Sequence, residues 1–166
     1  MGEEGVVIEW RAWRMPEGAQ PPGKPEGYGQ QAKQYLEDFS RRTGLVIRHP
    51  SRRLNTFLAH TGGKYAREKG VFAPYHEAVF EAIWQRDEDV EDVEVLAVLA
   101  ARCGLEEGAF KEALMNEEYR RRVEQDYALA ASRKIWTIPS YLGSRGEIQV
   151  HHFLDTPGIE QLRAIL

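Results

Sequence analysis

Apolar and polar residues alternate over Val6-Val7-Ile8-Glu9-Trp10-Arg11-Ala12-Trp13-Arg14-Met15, with Ile8, Trp10 and Ala12 on one face and Glu9 and Arg11 on the other. A period of two marks a half-buried strand, so a strand is predicted over 6–15. From Met15 to Gly29 the chain carries Pro21-Pro22-Gly23 and Pro25, which remove backbone donors and break either period. This stretch reads as an extended surface connection. Beyond Gly29 the apolar spacing becomes helical, and helices are predicted over 30–43, 52–69, 74–86, 92–103, 107–114, 117–134 and 157–166.

The predicted helix ends share one device. Arg42-Thr43-Gly44-Leu45, Glu68-Lys69-Gly70-Val71 and Arg102-Cys103-Gly104-Leu105 each place a cation in the last turn, then glycine, then an apolar residue. That order suits a left-handed glycine stop with the next side chain packed back on the helix. Ser51, Asp92 and Asn116 are placed to cap helix starts, the last followed by Glu117 and Glu118 at the positive end of the dipole.

After the helical block, Ile135-Trp136-Thr137-Ile138-Pro139-Ser140 leads into a hairpin over about 139–152, with Gly143-Ser144-Arg145-Gly146 as its turn. A proline there belongs at a strand's first residue or in a cis-peptide turn. Leu45-Val46-Ile47 is a candidate short strand. Trp10 and Trp84 fit core positions, while Trp136 precedes the proline loop and is a candidate to line a cleft.

Composition bounds the function. The 166 residues are 42% hydrophobic and 29% charged, enough for one sizeable core. A formal charge of −4 gives no basic field, so nucleic acid is not an expected partner. No run approaches the about 18 apolar residues of a membrane span, so no membrane partner is expected. The start Met1-Gly2-Glu3-Glu4-Gly5 is acidic where a signal peptide needs basic residues, and the chain is expected to be cytoplasmic.

The chemistry-bearing residues are sparse. Cys103 is the sole cysteine and falls on an apolar helix face next to a helix C-terminus, whose negative end disfavours a thiolate. His49, His60, His76, His151 and His152 show no metal-ligand spacing, and no metal or cofactor is expected. His151 and His152 point to opposite faces of a strand, so one of them could face the proline loop. The carboxylates of Asp87-Glu88-Asp89 and Glu91-Asp92 read as a solvated loop and helix start.

Taken in order, the strand Val7–Arg11, the proline linker, Arg53-Leu54-Asn55-Thr56, Ala59-His60, Tyr65-Ala66-Arg67-Glu68, Tyr75-His76-Glu77-Ala78-Val79-Phe80, Gly104-Leu105 and Ile138-Pro139-Ser140 resemble the DsbA-like thioredoxin-fold superfamily, in its cytoplasmic FrnE-like branch. The resemblance implies an α/β architecture: an incomplete thioredoxin-like fold with an inserted all-helical domain. Residues 1–28 and 135–166 would form the thioredoxin-like part, and residues 29–134 the helical insertion with its connecting helix. It also implies that Pro139 matches the family's cis proline, with Ile138, Pro139 and Trp136 as candidate substrate contacts. The family's first strand and Cys-x-x-Cys helix have no counterpart before Val7, and no catalytic residue is assigned.

These departures imply a DsbA-like protein without the redox dithiol, a noncatalytic binding or scaffold protein that keeps the proline cleft. Its expected ligand is a peptide or a thiol-containing small molecule. The alternatives are an oxidoreductase acting with a partner chain, or an enzyme like glutathione transferase kappa and 2-hydroxychromene-2-carboxylate isomerase. An unmatched strand edge beside apolar surface also leads to the expectation of a homodimer.

Overall fold

The computed structural model describes residues 5–166; the acidic Met1–Glu4 start lies outside them. Its elements are α1 (Tyr28–Thr43), α2 (Phe57–Glu68), α3 (Phe72–Trp84), α4 (Val93–Arg102), α5 (Glu107–Met115), α6 (Glu117–Ser132), β1 (Ser140–Leu142), β2 (Glu147–Gln149), a 3-10 turn at Phe153–Asp155 and α7 (Ile159–Ile165). None of these helices is long and apolar enough to cross a membrane. The chain divides into two compact units, Met1–Ala12 with Val46–Asp126, and Trp13–Leu45 with Tyr127–Leu166.

In the first unit α2 packs on α3, α4 and α5, and α4 also meets α3 and α5. Tyr75, Phe110, Leu96, Leu99, Leu114, Val90 and Val123 are its largest fully buried apolar side chains. Each contributes about 1.5–3 kcal/mol by leaving water. The close approach depends on Gly62 in the middle of α2, where a Cβ would sit 2.4 Å from the Tyr75 hydroxyl and 2.6 Å from Phe110 Cζ. A bare backbone makes room for two rings.

The glycine stops form as the pattern implies, with Gly44, Gly70 and Gly104 all at positive φ. Two of the three are full Schellman closures. Val71 N–H donates to Ala66 C=O and Leu105 N–H to Ala100 C=O, and both side chains pack on the core. At Gly44 only the glycine N–H reaches a helix carbonyl, that of Ser40, while the Leu45 N–H donates to the Thr43 hydroxyl and Leu45 stays exposed. Asp92 caps α4 through the Glu94 N–H, and Asn116 Oδ1 accepts the Glu118 N–H. Helix α5 is capped by Glu106, which takes the Gly108 and Ala109 N–H groups.

Four expectations are corrected. No sheet includes residues 6–15; within the first unit the backbone there bonds to side chains of α2 and α6, and that unit holds no strand to pair with it among the described residues. Leu45-Val46-Ile47 likewise joins no ladder. Helix α2 starts at Phe57 rather than 52, since the Ser51 and Asn55 N–H groups are taken by the carboxylates of Asp87 and Glu91. Those acids are therefore bonded to the backbone. Finally Trp10 is 56% exposed and Trp84 37%, so neither is a core residue.

The second unit holds the hairpin, β1 antiparallel to β2 with Ser140 opposite Gln149 and Leu142 opposite Glu147. Gly143 N–H donates to Gly146 C=O across the turn. The end of α7 seats on that turn: Arg145 N–H donates to Ile165 C=O at 2.9 Å, and the Ser144 hydroxyl donates to Leu166 C=O. A Cβ on Gly143 would meet the Ile165 carbonyl oxygen at 2.0 Å, so only glycine fits. Elsewhere in this unit Tyr28 and Tyr35 of α1 pack on Phe153, with centroids 5.6 and 4.8 Å apart.

Candidate functional site

The proline loop, Trp136 to Ser140, is held at both ends by the second unit. Trp13 Nε1 donates to Ile135 C=O, and Gln149 bridges the loop by accepting from Trp136 N–H and donating to Lys134 C=O. On the far side the Pro139 carbonyl accepts Val150 N–H at 3.1 Å, and the Ser140 hydroxyl donates to Thr137 C=O. The Ile138–Pro139 peptide is cis.

Between these ties one residue is left open. Neither the N–H nor the C=O of Ile138 has a hydrogen-bond partner among the described residues. Its side chain is 57% exposed, Pro139 is exposed and Trp136 is half-buried beside them. An exposed donor and acceptor with apolar flanks can join an extended main chain without costing any existing bond. Of the two candidate histidines, His151 lies here, with Nδ1 3.1 Å from the Thr137 hydroxyl, while Lys24 donates to its carbonyl at 2.6 Å. His152 turns away to Tyr28 and Phe153, at 5.0 and 4.2 Å between centroids.

Reasoning from sequence missed a second constellation, in the first unit. Asp126 on α6 has a side chain only 1% exposed and takes three donors: Arg11 Nη1 at 3.0 Å, Ala12 N–H at 2.8 Å, and the Lys64 ammonium of α2. Burial alone would raise its pKa, but these donors outweigh burial and hold it below the ordinary carboxylate range. Glu9, Arg11, Lys64, Arg67, Glu68, Arg122 and Gln125 line an open cleft of 260 Å3 around it. The signal was present in the heptad-like stripe Tyr119, Val123, Asp126, Tyr127, Ala130, where an acid stands among buried apolar positions. Nearby, His60 Nε2 lies 3.1 Å from the Thr56 hydroxyl, and burial lowers its pKa to about 4.

Cys103 stands at the C-cap of α4, partly buried against the core. Burial pushes its thiol pKa up. That is the reverse of what an exchange nucleophile needs.

A hairpin entered through an Ile-Pro loop and closed by a terminal helix, joined to a helical unit, defines a thioredoxin-type protein with a helical insertion. The chain belongs to the DSBA-like thioredoxin domain family, whose model matches residues 3–166. It is 29% identical over 121 residues to the uncharacterized protein YwbO of Bacillus subtilis (strain 168), covering 69% of this chain and 60% of that protein's length. Among solved structures it resembles a 2-hydroxychromene-2-carboxylate isomerase at a TM-score of 0.61 and 21% identity, over 72% of this chain and 59% of the other. A probable DsbA oxidoreductase from Streptomyces coelicolor aligns at 0.62 and 21%, over 76% and 56%. At these identities the solved structures speak for the fold.

Proposed function

We propose that this DsbA-like protein binds extended peptide through the Ile138–Pro139 loop and that its own residues do not run dithiol exchange. The observation carrying this reading is Ile138, whose N–H and C=O both have no partner among the described residues, on a loop tied at its two ends. Trp136 and Pro139 supply apolar contact on either side, and His151 with Thr137 forms a polar edge. Thiol exchange proceeds through a mixed disulfide that a second thiol resolves. The 166 residues hold one cysteine, with its thiol pKa raised. The likeness to a 2-hydroxychromene-2-carboxylate isomerase supports a second reading, isomerisation of a small molecule bound at the same loop.

The test is amide NMR with an unstructured peptide titrated in, beside an insulin-reduction assay. Shifts centred on Thr137, Ile138 and His151 without reductase turnover are expected. Absence of shifts at this loop would remove the peptide reading, and turnover lost in Cys103→Ser would replace it with catalysis.

A further inference from the structure

Residues 6–12 of the first unit are a strand edge without a sheet. No turn or bend interrupts residues 6–16. The Trp10 carbonyl accepts from Arg67 at 2.8 Å, and the Ala12 N–H donates to Asp126 at 2.8 Å. In an extended chain the backbone groups of alternate residues point to the same edge. Residues 10 and 12 therefore turn theirs inward, and Glu9 and Arg11 turn theirs outward. Among the described residues, the N–H and C=O groups of Glu9 and Arg11 have no partner. Val7, Ile8 and Trp10 are 93%, 62% and 56% exposed along the same segment. An unpaired backbone edge flanked by exposed apolar side chains is a template for another strand.

We infer that this edge pairs antiparallel with the same edge of a second copy, about a two-fold axis at Trp10. The charges select that register. With Trp10 opposite Trp10, Glu9 stands opposite Arg11 of the second copy, and Arg11 opposite its Glu9. Ile8 then stands opposite Ala12. Moving the centre to Glu9 or to Arg11 keeps the outward groups paired but sets like charges directly opposite, which is destabilising. The centred register extends the Glu9–Arg11 ion pair already present at 2.7 Å within one chain into an alternating row of four charges. It also makes Glu9 and Arg11 the hydrogen-bonded pairs of the ladder, using the outward groups. Trp10, packed on His76 with centroids 5.0 Å apart, meets its copy at the non-hydrogen-bonded position, where side chains approach most closely. Two-fold symmetry closes the pairing at two chains and leaves no edge open to a third.

The experiment is sedimentation velocity over a concentration series on the 166-residue chain, with amide exchange read by NMR. The expected result is a monomer–dimer equilibrium in which the Glu9 and Arg11 amides gain protection as concentration rises, while those of Ile8 and Trp10 do not. Glu9→Pro removes two symmetry-related donors and should weaken association about tenfold or more. Ile8→Pro removes only inward donors and should change it by less than about threefold. Native circular dichroism for both variants shows that the fold is kept. A chain monomeric at every concentration overturns the inference, and so does a dimer that survives Glu9→Pro unchanged.

Discussion

Lys64 and Asp126 form an ion pair whose ammonium side chain is 13% exposed and whose carboxylate is 1% exposed. Arg11 shares the carboxylate but lies 47% exposed, so it can turn to water if the pair is broken. Lys64 cannot do so cheaply. Asp126→Asn is therefore expected to cost about 3 kcal/mol, mostly from a stranded buried cation. Adding Lys64→Met should recover more than half of it, because the amide oxygen of Asn still accepts the Ala12 N–H. Urea denaturation of the two variants measures both values, and a single-variant cost below about 1 kcal/mol would mean that solvent screens the pair.

Adjacent glycines of α2 should respond in opposite directions. Alanine normally stabilises a helix interior by about 0.5–1 kcal/mol over glycine. At Gly63 the nearest atom to a new Cβ is Phe72 Cε2 at 3.5 Å, an ordinary contact, so Gly63→Ala should show that gain. At Gly62 the Cβ would drive into Tyr75 and Phe110, and Gly62→Ala should lose about 1–3 kcal/mol. Thermal unfolding of both variants decides it, since equal signs would contradict the packing.

Stability should fall on mild acidification. His60 is held neutral in the fold, with its pKa near 4, while the unfolded chain takes up a proton near 6.5. Above 6.5 neither state is protonated and stability is full; it drops as pH falls towards 4. Burial lowers the pKa of His76 as well, and the two add in the same direction. Asp126, shifted down, adds its own loss only below the ordinary carboxylate range. Urea midpoints at about pH 7 and about pH 5 should differ, and His60→Gln should reduce the difference.

Gly143→Ala should loosen the C-terminal helix before anything else. The obstructing atom is the Ile165 backbone oxygen, which no rotamer change can move aside. Hydrogen exchange in α7 and at Arg145 is expected to accelerate, with the helices of the first unit unchanged. Uniform protection across the variant would show that the turn adapts.

Features encoded within a few residues were legible in the sequence. The stops at Gly44, Gly70 and Gly104 follow from three consecutive residues, and so does the Asp92 cap. The Ile138–Pro139 loop and its hairpin were placed correctly, but the openness of Ile138 was not visible, because it depends on Gln149 and Val150 taking the neighbouring backbone groups. Alternation over residues 6–15 marked an extended chain, yet a ladder needs a second strand, which no local pattern supplies. Ser51 looked like a cap because the carboxylates that take the Ser51 and Asn55 N–H groups, Asp87 and Glu91, each lie 36 positions from their partner. Asp126 was hidden by its acidic neighbour Glu124, and its place on an apolar stripe was the clue to weigh.

The Ala12–Asp126 bond joins residues 114 positions apart. Closing so long a loop costs chain entropy that a single hydrogen bond cannot repay early, so the first-unit helices assemble first and the N-terminal segment docks last. Interactions formed after the folding barrier govern how fast a protein comes apart rather than how fast it forms. The Ala12 N–H bond thus acts on the lifetime of the native state, and Ala12→Pro, which removes that donor, should steepen the loss of protein over time while leaving the refolding rate nearly as it was.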